Sequence, residues 1–188
     1  MNKRVLVAAA LAALLAAGCG GESADNKTAA TAEKSERSDR SIADALAASA
    51  DHAAFARQLQ AAGLTETLRG AGPYTVFAPT DAAFAALPED ARARLAAPEQ
   101  RDRLIALLSY HIVQGTVTAG DLNAALDRPP EGRAELATVG GGNLALSRDG
   151  DAMLVGDASG TSARIVGADR LHANGVVHSI DAVLMPGD

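Results

Sequence analysis

The chain has 188 residues and a formal net charge of −6, from 23 acidic and 17 basic residues. This length leaves room for one domain with short appendages, since domains run to about 100 to 200 residues. The acidic balance and the scarcity of aromatic residues exclude a nucleic-acid partner, because phosphates need a basic surface and bases need rings to stack on. A single cysteine cannot form an internal disulfide or a thiolate metal cluster.

Residues 1–18 are typical of a secretory signal peptide. Lys3 and Arg4 give a positive start, residues 5–17 form an apolar run, and small residues follow. A helix of that run rises only about 20 Å, against roughly 30 Å of bilayer hydrocarbon. The pattern therefore predicts export rather than a permanent membrane span.

Cys19 directly follows the small residues. The stretch Ala16-Ala17-Gly18-Cys19 resembles the lipobox at which bacterial lipoproteins are lipidated and cut, although Leu15 stands one place earlier than the usual leucine. The resemblance implies lipidation of Cys19 and durable anchoring in the cell envelope. Gly20 implies sorting to the outer membrane if the organism has two membranes. The alternative is an ordinary signal peptide, which predicts a soluble secreted or periplasmic protein.

Residues 19–40 are expected to be the lipidated cysteine and a disordered polar linker. From position 20 to 40 no apolar side chain is larger than alanine, and acids are interleaved with bases. Such a segment cannot bury enough apolar surface to offset its ordering entropy. We therefore expect the folded domain to span residues 41–188, which is long enough for an independent core.

Helix signals occupy the first half of this domain. Ser41, with Asp44 three residues later, predicts a capping box that opens the first helix. Asp51 is expected to cap a second helix, which stops at Gly63. Thr80 is expected to cap a short third helix.

Two prolines predict further helices. Pro88 and Pro98 each suit a first helical turn, where the missing N–H is not needed. The helix from about Pro98 places His111 seven residues after Leu104 on one apolar stripe. We therefore expect His111 to be buried and structural.

The second half changes to short runs of β-prone residues separated by glycine-rich turns. With residues 74–78 they predict about six strands, the others being 136–139, 143–147, 153–156, 163–168 and 176–184. Helices followed by strands favour an α+β fold, with an antiparallel sheet and helices segregated from it.

Asn174 and Gly175 predict a two-residue hairpin turn, because this dipeptide tolerates the two positive φ angles of a type I′ turn. In that register Val177 lies opposite His172 and His178 lies opposite Leu171. The two histidines then point to opposite faces, so a metal chelate between them is not expected. His178 shares its face with apolar residues, which favours a buried, hydrogen-bonded histidine.

Three separated stretches together resemble the fasciclin domain family. Residues 72–84 (GPYTVFAPTDAAF), 107–113 (LLSYHIV) and 174–186 (NGVVHSIDAVLMP) are similar to its first conserved block, its Tyr-His motif and its second conserved block. Order and spacing match, and the resemblance covers residues 41–188. It implies a wedge-shaped β-sandwich with a cluster of short helices, used for adhesion and protein interaction.

The resemblance also implies binding residues. Tyr110 and His111 match the Tyr-His motif, which is implicated in integrin adhesion by matrix members of the family. Asp169 and Leu171 fall in the stretch that matches a short Asp-Ile motif of those members. Arg170 stands where isoleucine is usual, which argues against an integrin-like contact.

No motif in the sequence indicates catalysis. There is no Gly-x-Ser-x-Gly elbow, and residues 140–142 lack the Lys and Ser or Thr of a phosphate loop. We expect a non-catalytic module without metal or cofactor, which binds an envelope or extracellular protein or a glycan and meets the membrane only through its lipid anchor. The alternative is a carrier that holds a small apolar ligand between helices and sheet, since abundant alanine leaves room for a cleft.

Overall fold

The computed structural model describes residues 38–128 and 132–187. Its seven helices within these ranges are α1 (Ile42–Ala48), α2 (Ala53–Ala62), α3 (Thr65–Arg69), α4 (Asp81–Ala85), α5 (Glu89–Ala96), α6 (Arg101–Tyr110) and α7 (Ala119–Leu126). Its seven strands are β1 (Tyr74–Pro79), β2 (Ile112–Gln114), β3 (Arg133–Ala137), β4 (Asn143–Asp149), β5 (Ala152–Gly156), β6 (Ser162–His172) and β7 (Gly175–Ile180). The predicted signal peptide and Cys19 lie outside the described residues, as does most of the linker. No helix in the described ranges is long and apolar enough to span a membrane.

Short polar side chains begin several of the helices. Ser41 and Thr80 accept hydrogen bonds from the amides of Asp44 and Ala83, as their sequences predict. The prediction that Asp51 caps α2 is wrong. The carboxylate of Asp81, far along the chain, accepts from the amide of Ala54 at 2.7 Å, so a tertiary contact replaces the local cap.

The helix predicted from about Pro98 begins later than expected. A 3₁₀ turn spans Pro98–Gln100, and α6 follows it. His111 is the residue after the last turn of α6 rather than part of its stripe. The prediction omitted α3 and α7, although Thr118 and Asp121 form a complete capping box at the start of α7.

The strands form one seven-stranded sheet in the order β2-β1-β7-β6-β5-β4-β3. The α+β class is therefore confirmed. The expectation of a wholly antiparallel sheet is wrong, because β1 and β7 pair in parallel with Tyr74 opposite Gly175. The prediction also missed β2, a strand of three residues that is too short to show a period.

The sheet bends at β6, which pairs with β5 in its first half and with β7 in its second. Register shifts lie between Ile165 and Gly167 and between Gly167 and Arg170, and such bulges bend and twist a strand. A bridge pairs Val113 of edge strand β2 with Thr138, the residue directly after edge strand β3. One interior cluster consequently contains residues of six strands, namely β1, β2, β4, β5, β6 and β7.

A second cluster joins the helices to the other face of β1 and β7. Phe55, Leu59, Leu107 and Leu108 pack there with Val177. Both clusters consist of buried aliphatic and aromatic side chains, whose burial stabilises the fold by about 25 cal/mol per Å² of apolar surface.

The predicted register of the last hairpin is wrong, because its two-residue turn lies one residue earlier in the chain than expected. His172 pairs with Gly175, so the turn residues are Ala173 and Asn174 rather than Asn174 and Gly175. The reason is tertiary. The side chain of Asn174 accepts from the amide of Ile42 at 2.9 Å and donates to the carbonyl of Leu68 at 2.7 Å, which ties the turn to the helices.

Candidate functional site

Tyr110 lies at the end of α6 and is only 2% exposed. Its hydroxyl donates to the carbonyl of Asn143 at 2.7 Å, and burial raises the pKa of the phenol. A Cβ at Gly142 would stand 2.6 Å from the Tyr110 ring, so glycine is needed there for the ring to fit. Tyr110 thus joins α6 to the turn before β4.

His111 follows Tyr110 and is fully buried. Its Nδ1 lies 2.8 Å from the carbonyl of Leu107, and its Nε2 accepts from the amide of Leu184 at 3.1 Å. These partners require a neutral ring with the proton on Nδ1, because a carbonyl only accepts and an amide only donates. Burial lowers the pKa of His111 to about 4.

His178 lies on β7 and is also fully buried. Its Nε2 lies 2.8 Å from the carbonyl of Val117, and its Nδ1 accepts from the amide of Asp169 at 3.4 Å. The ring stacks on Phe77 with centroids 5.4 Å apart. Burial lowers the pKa of His178, so this ring is neutral as well, with the proton on Nε2.

Neither of these rings has a nitrogen available for acid-base chemistry. In both, one nitrogen is bonded to a carbonyl and the other to an amide, as the expectation of structural histidines requires. His172 pairs with Gly175, which places it on the opposite face of the sheet from His178. Within the described part of the chain, no group of three His, Cys, Asp or Glu side chains could hold a metal ion.

Asp169 and Leu171 lie on the bulged part of β6. Asp169 has a positive φ of 57°, and its carboxylate accepts from the amide of Ala119 at 2.7 Å, at the start of α7. The carbonyl of Leu171 accepts from the amide of Ser38 at 2.8 Å. Both side chains are half-buried, whereas Arg170 between them is exposed.

The four residues implied by the resemblance therefore divide into two pairs. Tyr110 and His111 are enclosed, and Asp169 and Leu171 reach the surface beside Arg170. The structure brings Asp169 to His178 rather than to the Tyr-His pair. A direct contact of any of the four with a partner stays a prediction.

Asp157 is a buried carboxylate that sequence reasoning missed. It accepts from the amides of Ser159 and Thr161, both at 2.9 Å, and from the amide of Met185 at 2.7 Å. An Asp followed by Ser, Gly and Thr is a turn signal that could have identified the first two bonds. The bond to Met185, which fixes the chain after β7, has no signal in the sequence.

Comparison with known proteins agrees with this architecture. The sequence profile described as Fasciclin domain matches residues 50–186. A structure of a FAS1 domain pair from the insect cell adhesion molecule fasciclin I aligns with a TM-score of 0.67 at 14% identity, covering 78% of this chain and 51% of that one. At that identity the likeness shows the fold.

Two relatives extend the comparison at the level of sequence. The protein sll1483 of Synechocystis is 37% identical over 129 residues, 68% of this chain and 63% of that protein. The transforming growth factor-beta-induced protein ig-h3 of Sus scrofa is 35% identical over 128 residues, 68% of this chain and 16% of that protein. The chain thus spans less than two thirds of either relative. Its matched residues include both conserved blocks and the Tyr-His motif, and the chain belongs to the fasciclin domain family.

Proposed function

We propose that this protein is an exported, non-catalytic adhesion or interaction module that binds an envelope or extracellular protein or a surface glycan. Fasciclin domains are generally adhesion or protein-interaction modules, and family members are typically non-enzymatic. The observation that carries the proposal for this chain is the contrast between its closed core and the exposed, bulged part of β6.

The core supports a structural role for the histidines. A hydrolase would need a histidine beside a nucleophile, with one ring nitrogen available to take a proton. His111 and His178 have both nitrogens bonded to the backbone, and burial favours their neutral form. This arrangement argues against His111 and His178 as a catalytic base.

The bulged part of β6 supports a binding role. Val166 is 56% exposed, which is unusual for a large apolar residue in a strand, and Arg170 is exposed four residues later. Arginine side chains are enriched where proteins bind partners. The segment is held in place by Asp169, whose carboxylate and amide both bond to neighbouring elements.

The open clefts count against an apolar carrier. Two of them, of about 580 and 590 Å³, have Arg, Gln or Glu among their lining residues as well as Ala and Leu. A carrier of an apolar ligand needs an enclosed and mostly apolar cavity. The described interior is filled by the two core clusters instead.

We further propose that Cys19 is lipidated and anchors the protein in the envelope, at the outer membrane if the organism has two. The position of the chain's single cysteine directly after an apolar run and small residues supports this. Cys19→Ser should release the protein from the membrane fraction into the soluble fraction. Membrane fractionation that is unchanged by Cys19→Ser would contradict the anchor.

A pull-down from envelope extracts tests the binding role. The full chain should capture at least one protein or glycan, and Arg170→Glu should reduce the captured amount. Arg92→Glu is a matched control, because Arg92 is exposed on α5 and makes no ion pair within the described residues. Equal capture by both variants and the wild-type chain would contradict a binding surface on β6.

A further inference from the structure

A cleft of about 380 Å³ lies where the loop before α2 and the start of α4 approach the bulged part of β6. We call it the β6 cleft, and its lining includes Asp51, Thr80, Asp81, Val166, Arg170 and Ser179. Sites for small molecules have volumes of roughly 300 to 1,000 Å³, so this one suits a ligand of about one ring.

Ser179 supplies a buried hydroxyl without a partner. The residue lines the cleft, is 5% exposed, and its Oγ makes no hydrogen bond within the described residues. A buried polar group without a partner costs free energy, so it needs an explanation. Gly167 lies opposite, and a Cβ there would stand 3.3 Å from Ser179 Oγ. The absence of a side chain at Gly167 therefore lets β6 pack closely on Ser179.

His52 is a second buried polar group near the same cleft. It is 1% exposed, its Nδ1 lies 2.9 Å from Ser49 Oγ, and its Nε2 has no partner among the described residues. Burial is the main cause that lowers its pKa. The charge of Arg170 also lowers it, while Asp51 and Asp81 oppose the shift. The charged residues of the β6 cleft therefore act electrostatically on this ring.

The charges of the cleft disfavour an ionic ligand of either sign. Asp51 and Asp81 would repel an anion, although one oxygen of Asp81 is engaged by the amide of Ala54. Arg170, which makes no ion pair within the described ranges, would repel a cation. A neutral ligand with adjacent hydroxyls avoids both penalties, because it can donate to a carboxylate and accept from a guanidinium.

We propose that the β6 cleft binds one ring of a neutral saccharide. Its hydroxyls would bond to Arg170, Asp51 and Ser179 Oγ, and an apolar face of the ring would pack on Val166. This inference rests on the proposed function and deepens it, because it names a glycan as the partner and gives the cleft as its site.

NMR titration of the ¹⁵N-labelled full chain tests this inference. The probes are glucose, galactose, mannose and N-acetylglucosamine, with sodium acetate and glycine as ionic probes. At least one sugar should shift the amide signals of residues 166–170 and 179. Arg170→Ala and Ser179→Ala should each weaken that binding about tenfold, as expected for a lost hydrogen bond of about 1.4 kcal/mol. Arg92→Ala should leave it unchanged.

Three outcomes would overturn the inference: no sugar shifts these signals, acetate or glycine shifts them more than any sugar does, or Arg170→Ala binds as tightly as Arg92→Ala. Ser179→Ala keeps the test valid, since it removes a group without a partner and should fold like the wild-type chain.

A second experiment uses isolated envelope polysaccharide. It distinguishes a glycan from a free sugar as the ligand of the β6 cleft. Retention of the polysaccharide on the immobilised chain supports a glycan, and binding of free sugar alone contradicts it. Capture of an envelope protein without any sugar binding would overturn this inference and leave the proposed function standing.

Discussion

The four histidines divide the molecule into two regions. His111 and His178 lie in the core, and each has both ring nitrogens bonded to the backbone. Burial, and after it the charge of Arg170, lowers the pKa of His52 and of His172. Each of these two rings leaves one buried nitrogen without a partner within the described residues. The ring nitrogens of the two core histidines, in contrast, all hydrogen-bond to the backbone.

This contrast separates the Tyr-His pair from the proposed binding surface. The Tyr-His pair is the most recognisable feature of the sequence, yet it is enclosed and joins α6 to the turn before β4 and to the chain after β7. His52 lies outside the three recognised stretches, whereas Ser179 lies in the second conserved block, residues 174–186. A residue that identifies the family therefore need not be a residue that meets the partner.

His111→Ala should have the largest effect. It leaves the carbonyl of Leu107 and the amide of Leu184 unpaired and opens a cavity, which should lower the free energy of unfolding by about 3 to 5 kcal/mol. Chemical denaturation measures this. His172→Ala is the control, because His172 is half-buried and should cost about 1 kcal/mol or less. Equal losses from the two variants would remove the distinction between the regions.

The pH dependence of stability should be the next largest effect. The folded pKa of His111 is about 4 and its ordinary value is 6.5, so between these values the unfolded chain binds the proton and the folded chain does not. The contribution of His111 is therefore complete above pH 6.5 and is lost as the pH falls to about 4. It amounts to about 3 kcal/mol, and His178 acts in the same direction.

Denaturation at several pH values between 4 and 7 measures this slope. His111→Gln should flatten it, because glutamine does not titrate. The same slope in His111→Gln and in the wild-type chain would show that another group is responsible.

Tyr110→Phe should have a smaller effect. It removes the hydroxyl and leaves the ring and its packing on Gly142 in place, so the cost is one hydrogen bond to Asn143. We expect the free energy of unfolding to fall by about 1 kcal/mol and partner capture to be unchanged. Loss of capture in a folded Tyr110→Phe variant would move the binding surface to the Tyr-His motif.

Ser179→Ala should have the smallest effect on folding. Its hydroxyl has no partner, so the free energy of unfolding should change by less than about 0.5 kcal/mol or rise slightly. A loss of 1 kcal/mol or more in denaturation experiments would mean that Ser179 Oγ is bonded in solution without any ligand.

The sequence predicted those parts of the fold that depend on local signals. Ser41 and Thr80 cap helices as expected, and Gly63 ends α2 in the left-handed conformation. The prediction from sequence failed where a residue far along the chain makes the hydrogen bond that was expected of a local residue. Asp81 takes the role expected of Asp51, and the amide of Asn174 ties its turn to Ile42 and Leu68, which shifts the hairpin register.

The candidate site was predictable only in part. The apolar neighbours of His111 and His178 in the sequence predicted that both are buried. The sequence did not predict that His111 bonds to Leu184 or that His178 bonds to Val117, because each partner lies far along the chain from its histidine. No pattern in the sequence predicted the β6 cleft. It depends on two bulges in β6 that no local pattern specifies, and on Gly167 lying opposite Ser179.

The ring nitrogens of the histidines offer the most direct test of this division. A ¹⁵N NMR titration of the imidazoles reports the tautomer and the pKa of each ring. We predict that His111 stays neutral, with its proton on Nδ1, until the pH falls to about 4. Neutral His178 should carry its proton on Nε2 and titrate below 6.5, and neither ring should change its tautomer when a partner binds. Titration of either ring near 6.5, or a change of tautomer on binding, would contradict the account.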